Sequence, residues 1–486
     1  MDDHSPPFLT LHSASPAQTT ALAQALAAAL RPGDSVLLSG QVGAGKTHLA
    51  RAVIQARQGD MAEDVPSPTF TIVQTYDDPQ GTEIWHADLY RLTHADELTE
   101  LGLDEARDHA ITLVEWPERL GFAPDGALSV TIMVGADADA RDITLRGAGW
   151  AARLADLPRA IERAAFIEST GRGDQRVTAL AGDASARRYF RLTGGLGPAI
   201  LMDAPVDGNG PPERFTRVAR WLTERGFSAP RILAEDAERG FLLLEDLGDD
   251  LVARLIDAHP EIYPAITAFL VALHQHAPPD WAPVLDGPAL SDQVGLFAEH
   301  YLTAVGATTD QRALARGIGP AIAALYGRHA GDAPVLALRD FHAENLLWLP
   351  ERPDVARLGL LDFQDAVAAH PAYDLISVLA DVRRDTPPGV AQAEMRRYAE
   401  MTGRDPVRFA TVCGLLTAQR NLRIMGIFTR LALSGKPRYL AFMPRVWAQI
   451  GQALADPALA DLAAIVERMP APDPAIVERI MSRCPR

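Results

Sequence analysis

Gly40-Gln41-Val42-Gly43-Ala44-Gly45-Lys46-Thr47 follows the spacing G-x-x-x-x-G-K-T. Glycines let a loop turn its backbone N–H groups toward phosphates. A lysine after them reaches the β- and γ-phosphates, and the adjoining hydroxyl is a Mg2+ ligand. Gly40, Gly43, Gly45, Lys46 and Thr47 are therefore expected to hold ATP with its Mg2+. Residue usage adds weight: of 46 basic residues only two are lysine, Lys46 and Lys436. A slim ammonium passes a glycine loop where a planar guanidinium does not. Further along, Leu113-Val114-Glu115-Trp116-Pro117-Glu118 closes an apolar run with a carboxylate. An acid at the end of a buried strand beside the phosphate loop coordinates Mg2+ or orients the attacking water, which makes Glu115 the expected partner of Thr47.

A second constellation lies far downstream. Leu338-Arg339-Asp340-Phe341-His342-Ala343-Glu344-Asn345 contains D-x-x-x-x-N, and Leu360-Leu361-Asp362-Phe363-Gln364-Asp365 sets another aspartate 17 residues beyond Asn345. In a kinase catalytic loop the first Asp accepts the proton of the substrate hydroxyl and the Asn holds Mg2+. An Asp on the next hairpin holds the metal that bridges the phosphates. Asp340, Asn345 and Asp362 fit those three roles.

These residues need elements to position them. Residues 36–38 read as a short buried strand before the glycine loop and 47–58 as a helix after it, the context the motif requires. A helix over 17–30 precedes them, stopped by Pro32-Gly33-Asp34. Residues 111–114, 128–132 and 142–145 read as further strands, and 151–167 as a bridging helix. From about 165 the pattern changes. Segments 175–192, 199–202 and 240–245 suggest a twisted antiparallel sheet, followed by mostly helical sequence with a β-rich island at 335–365. A small β-rich lobe before a larger helical lobe is a kinase-like layout.

Composition sets the outer bounds. At 486 residues, 48% hydrophobic and 22% charged, the chain has material for several full-sized cores. A net charge of −17 repels phosphate backbones, which argues against a large surface for tRNA or DNA. Cys413 and Cys484 have no metal or redox spacing and fit a reducing compartment. Met1-Asp2-Asp3-His4 is acidic without an apolar signal core, and 22–30 is too short to span a bilayer. The expectation is a cytoplasmic protein with no membrane and no DNA contact.

Three segments narrow the N-terminal reading: Pro66-Ser67-Pro68-Thr69-Phe70-Thr71, His86-Ala87-Asp88-Leu89-Tyr90-Arg91 after a short strand, and the run through Glu115 and Trp116. In this order, with the glycine loop, they resemble the ATPase subunit of bacterial tRNA threonylcarbamoyladenosine synthesis, the TsaE family, over residues 8–150. The resemblance implies a small P-loop ATPase working with the subunits that assemble the threonylcarbamoyl-transferase site, with tRNA engaged only indirectly. It places Thr69 in a switch-like loop near the γ-phosphate, Asp88 and Glu115 at catalytic acidic positions, and Trp116 at the nucleotide. Each has a plainer reading. Asp88 caps a turn, His86 bonds locally, Trp116 fills a core, and Tyr90 and Arg91 form either an amphipathic pair or a partner contact.

The downstream half carries Gly182-Asp183-Ala184-Ser185-Ala186-Arg187-Arg188-Tyr189-Phe190-Arg191, Met202-Asp203-Ala204-Pro205, Leu244-Glu245-Asp246-Leu247-Gly248, Gln419-Arg420-Asn421-Leu422 and Gly435-Lys436-Pro437-Arg438-Tyr439-Leu440. With the two aspartate motifs these resemble the anomeric N-acetylmuramate/N-acetylglucosamine kinases (AmgK) of the aminoglycoside-phosphotransferase superfamily, over about 165–450. The resemblance implies ATP-dependent phosphorylation of an amino sugar at its anomeric hydroxyl, in peptidoglycan recycling. Ser185 and Arg187 then belong to the turn over the phosphates, and Glu245 to the junction that meets adenine. One departure stands out. The strand over 199–204 lacks the lysine that such folds use on the α/β-phosphates. Either Arg187, Arg188 or Arg191 supplies the charge, or backbone N–H groups and Mg2+ suffice. Asp374 is expected to fasten the catalytic loop, and His342 to steady it. Lys436 is either a substrate contact or incidental.

The expected fold is an α/β P-loop NTPase domain over 1–150, a helical linker over 151–164, and a two-lobed α+β protein-kinase-like (aminoglycoside phosphotransferase) domain over 165–486. The expected function is a bifunctional enzyme with two ATP-using sites; the alternatives are a chain with one catalytically silent, regulatory half, or a C-terminal kinase acting on another small hydroxyl substrate of aminoglycoside, choline or homoserine type. Muramic against glucosamine preference has no readable code.

Overall fold

The computed structural model describes residues 6–92, 102–122, 124–180, 187–209 and 212–485. The chain divides into two compact units, Met1–Asp203 and Ala204–Arg486. None of the described helices is long and apolar enough to cross a membrane.

The first unit is built on a seven-stranded sheet of β1 (Leu9–Ser13), β2 (Ser35–Ser39), β3 (Val73–Asp77), β4 (Glu83–Asp88), β5 (Ile111–Glu115), β6 (Leu128–Val134) and β7 (Arg141–Arg146), in the order β1-β7-β6-β2-β5-β4-β3. β2 runs parallel to β5 and β6, and β4 parallel to β5, while the outer pairs are antiparallel. Central parallel strands are covered on both faces, which is why Val36, Leu37 and Leu38 are apolar without alternation. Val36 and Leu38 join a core with Leu22, Leu26, Leu49 and Val53 of helices α1 (Pro16–Ala29) and α2 (Lys46–Gln58). Leu37 points the other way, into a smaller cluster with Leu89, Leu92 and Val114.

Three features depart from the sequence reading. The bridging helix over 151–167 is two pieces, Trp150–Arg153 and Leu157–Ser169. Pro158 sits in the first turn of the second piece, where its missing N–H costs nothing and where a helix begins rather than continues. β1 and β3 are strands where none was expected. Each is an outer strand, half exposed and mixed in polarity, so its apolar signal is weak. His86 to Asp88 lie within β4 instead of following it.

The same unit carries the antiparallel meander β8 (Arg176–Leu180), β9 (Arg188–Thr193) and β10 (Ala199–Asp203). Asp203 is fully buried. Arg159 grips it at 2.9 and 2.7 Å, and Arg163 at 3.0 Å, from the helix Leu157–Ser169. Arg188 reaches Asp203 at 3.4 Å and Asp156 at 2.6 Å. A buried carboxylate is tolerated only when paired this fully.

In the second unit the helix Glu213–Thr223 precedes the hairpin β11 (Ile232–Asp236) and β12 (Phe241–Glu245). Helices follow, among them Ile262–Leu273, Ala372–Leu379 and the 28-residue Pro406–Leu433. Set among them are the short pairs β13 (Val335–Ala337) with β16 (Val367–Ala369), and β14 (Leu346–Trp348) with β15 (Leu358–Leu360). The β-rich island expected at 335–365 is these two ladders.

Candidate active sites

In the first unit, β2, β4 and β5 end side by side. Leu38 and Asp88 are both in register with Glu115, so the glycine loop after β2 meets two carboxylates at the carboxyl ends of parallel strands. Gly40 must be glycine. Its φ is +148°, and a Cβ there would lie 2.3 Å from the carbonyl oxygen of Ile132. The side chain of Lys46 is buried over the loop and donates to the carbonyls of Gly40 and Gln41 at 2.8 and 3.0 Å. Burial lowers its pKa, against the opposing charges of Glu115, Asp88 and Glu118. Its ammonium stands 3.8 Å from the centre of the Trp116 ring, which in turn packs on Tyr90 at 5.0 Å.

Glu115 is 2% exposed and both of its oxygens are engaged. The Thr47 hydroxyl donates to Oε2 at 3.0 Å, and His86 Nε2 lies 2.9 Å from Oε1. Asp88 accepts from Thr69 at 2.7 Å and from Ser67 at 3.2 Å, and its other oxygen takes the N–H of Tyr90 at 3.1 Å. It thus ties the Pro66–Thr71 loop to the strand end, and it also closes the turn at Tyr90. Phe70 projects from that loop, 83% exposed, with the Arg91 guanidinium 4.3 Å above its ring. Two participants were underweighted or missed. His86 was read as a local hydrogen bonder, yet it braces Glu115. Arg141, at the start of β7, donates to Ala44 O at 2.7 Å and buttresses the loop. A lone arginine opening a polar strand carries no sequence signal for that contact.

In the second unit, the catalytic-loop and hairpin motifs meet. Asn345 precedes β14 and Asp362 follows β15. The N–H of Leu361 donates to Asn345 O at 2.9 Å, which sets Asp362 beside Asn345. Asn345 gives its amide N–H to Asp340 O at 2.9 Å, leaving its own side-chain oxygen as the available ligand atom. Asp362 is exposed and accepts from Gln364 at 2.7 Å. The following phenylalanines anchor both turns. Phe341 stacks on Phe269 at 5.6 Å and Phe363 on Phe215 at 4.9 Å.

Asp340 is open to solvent but surrounded by protein. That crowding raises its pKa, the Asp362 carboxylate adds to the rise, and Arg339, Arg420 and Arg423 oppose it. Asp374 is fully buried and accepts the N–H groups of Leu338 and Arg339. Burial pushes its carboxyl up to about 7. It fastens the loop as expected from sequence. His342 is buried, its pKa lowered to about 4 first by burial, and it lies 3.4 Å from Asn345 Nδ2.

Backbone strain gathers at the same places. Among the described residues, the non-glycine positions with positive φ are Ile72, Trp116, Arg339, Asp354 and Asp362. Four of these five adjoin the two sites, and each costs about 1–3 kcal/mol that the surrounding packing must hold.

Other expected contacts separate from these clusters. Glu245 is engaged by Arg231 at 3.1 Å and Arg352 at 2.8 Å, so its carboxylate is occupied, and its N–H donates to Arg231 O at 2.9 Å. Ser185, with the whole of 181–186, lies outside the described residues. Arg187 is described and has interacting neighbours. Lys436 is half-buried at a turn, its N–H donating to Leu431 O at 3.0 Å.

Fold and sites together define a P-loop nucleotide-binding domain followed by a kinase-like phosphotransferase domain. Comparison with known proteins agrees. The family profile of the threonylcarbamoyl adenosine biosynthesis protein TsaE matches residues 13–143, and that of the phosphotransferase enzyme family matches 176–410. A protein of Caulobacter vibrioides described as N-acetylmuramate/N-acetylglucosamine kinase is 40% identical, over 64% of this chain and 96% of its own. The tRNA threonylcarbamoyladenosine biosynthesis protein TsaE of Rickettsia bellii is 46% identical, over 21% of this chain and 69% of its own. A solved structure, Bacillus subtilus YdiB, is 30% identical over 32% of this chain and 94% of its own, with a TM-score of 0.25. The chain belongs to the TsaE family through its N-terminal part and to the N-acetylmuramate/N-acetylglucosamine kinases of the phosphotransferase enzyme family through the remainder.

Proposed function

We propose that the chain is a bifunctional enzyme with two ATP-using sites. The N-terminal site hydrolyses ATP in support of threonylcarbamoyladenosine modification of tRNA. The other transfers phosphate from ATP to the anomeric hydroxyl of N-acetylmuramate or N-acetylglucosamine, in peptidoglycan recycling. The observation that supports the kinase reading is the pair of bonds from Leu361 N–H to Asn345 O and from Asn345 Nδ2 to Asp340 O, which link the Asp340 loop, Asn345 and the strand end before Asp362. In this reading Asp340 orients the acceptor hydroxyl and takes its proton.

The donor sets suit Mg2+, a hard ion that takes oxygen ligands. Asp362 and the side-chain oxygen of Asn345 would hold it in the kinase, and Thr47 with Glu115 in the ATPase. When bound, it neutralises charge on the transferring phosphoryl group. Gly40, Gly43, Gly45 and Lys46 would cradle the nucleotide phosphates in the ATPase. Asp88, through Thr69, would hold the switch-like loop, and Trp116 would line the nucleotide. Ser185, Arg187 and the Glu245 backbone would serve ATP in the kinase, and residues 151–164 would link the two domains. The partners are subunits of the threonylcarbamoyl-transferase complex, and the setting is the cytoplasm. The test is the full chain with ATP and a panel of amino sugars, followed by phosphorus NMR. A phosphate on the reducing end supports the reading; ATP turnover that no sugar stimulates removes it.

A further inference from the structure

The compact unit Met1–Asp203 does not stop at the last strand of the P-loop sheet. It takes in β8, β9 and β10, which lie in the part of the chain that matches the phosphotransferase family. The helix Leu157–Ser169 is bound to both groups of strands.

One side of that helix completes the P-loop core. Leu157 and Ile161 join Leu22, Leu26, Leu49 and Val53 in a single apolar cluster. Near the helix end, Glu168 reaches the first turn of α1. Ser15, the N-cap of α1, donates its hydroxyl to Oε1 of Glu168, and Gln18 donates from Nε2 to Oε2 at 2.7 Å. The first turn of α1 has no acidic residue of its own. A carboxylate 150 residues away along the chain supplies the negative charge that a helix N-terminus favours.

The other side holds the phosphotransferase strands. Arg159 and Arg163 pair with the buried Asp203 at the end of β10, and the Arg163 guanidinium lies 4.2 Å from the centre of the Phe190 ring on β9. Just before the helix, Asp156 takes Arg188 of β9 at 2.6 Å. Just after it, Arg172 donates to Gly197 O, between β9 and β10, at 2.7 Å. Separating the helix from β10 would leave the Asp203 charge buried and unpaired, so the two are held together strongly.

We propose that the helix Leu157–Ser169 makes the P-loop domain and β8–β10 one cooperative folding unit, so that nucleotide held at the glycine loop steadies the first strands of the kinase. This rests on the nucleotide-binding reading of that loop. A ligand that binds only the folded unit lowers the population of every opened form that loses the ligand site. The opening that exposes β8–β10 is such a form when the helix cannot leave them without disturbing α1. The link is one of stability and leaves the chemistry at Asp340 unchanged.

The experiment is amide hydrogen exchange on the full chain, read by mass spectrometry, with and without ADP and Mg2+. Lys46→Ala is the control for nucleotide bound in the kinase half. With ADP at about a hundred times its dissociation constant, exchange should slow about a hundredfold in 40–58 and by a comparable factor in 188–203. The slowing in 188–203 should vanish in Lys46→Ala. Glu168→Ala and Asp203→Asn each free the helix on one side. Either should keep the ADP protection of 40–58 and lose most of that of 188–203, whereas general weakening of the fold would leave the two protection factors moving together. Glu168 is half-buried, so Glu168→Ala decides the matter if Asp203→Asn does not fold. Protection confined to 40–58 in the unsubstituted chain overturns the proposal alone. So does protection of 188–203 that survives Lys46→Ala or Glu168→Ala. No protection of 40–58 sinks the nucleotide reading of the loop and the proposal together.

Discussion

The Thr47 hydroxyl donates to Oε2 of Glu115 across 3.0 Å, joining the first turn of the phosphate-loop helix to the end of the neighbouring strand. The other oxygen of Glu115 is held by His86 at 2.9 Å, so the carboxylate has a fixed direction. A metal or water ligand placed this way acts on the reacting phosphate more than on nucleotide affinity.

Glu115→Gln should therefore bind ATP within a few-fold of the parent and hydrolyse it about a hundredfold more slowly. Titration calorimetry gives the affinity and a phosphate-release assay the rate. Equal turnover in the variant would take Glu115 out of the mechanism.

Asp340 supplies a pH test. Its folded pKa is raised by the desolvation that the surrounding protein imposes and by Asp362. The base must be ionised, so sugar phosphorylation is lost as pH falls through that raised value. The acid limb of kcat should lie above the ordinary aspartate range near ~3.9. Asp340→Asn should keep sugar and ATP binding and lower turnover about a hundredfold or more. Asp362→Asn should instead raise the Mg2+ concentration needed for half-maximal rate. A limb in the ordinary range, or a brisk Asp340→Asn variant, speaks against the assigned base.

Much of this was legible in the sequence because it is local. The glycine loop, the acid closing an apolar strand and D-x-x-x-x-N each encode a turn within a few residues. The buried strands 35–39 and 111–115 announce themselves by unbroken apolar runs. What escaped was contact at long range. His86 on Glu115 and Arg141 on Ala44 join residues 29 and 97 positions apart. A single sequence carries no periodicity for such pairs. β1 and β3 escaped for the opposite reason. They are the two edge strands of the sheet, and half-exposed strands need few apolar residues.

The acidic chain makes a further prediction. With a net charge of −17, the isolated protein should bind tRNA weakly at physiological salt and associate with the threonylcarbamoyl-transferase subunits in an ATP-dependent way. Filter binding and size-exclusion chromatography check the two halves. Tight tRNA binding without a partner would overturn it.

The central claim, two separate phosphoryl-transfer sites on one chain, is tested most directly by measuring both activities in Lys46→Ala and in Asp340→Asn. Lys46 grips the carbonyls of Gly40 and Gln41, and Asp340 lies in a loop fastened by Asp374. Among the described residues the two share no hydrogen-bonded group. Lys46→Ala should abolish sugar-independent ATP hydrolysis and leave sugar phosphorylation near the parent rate. Asp340→Asn should do the reverse. Loss of both activities in either variant would contradict the account.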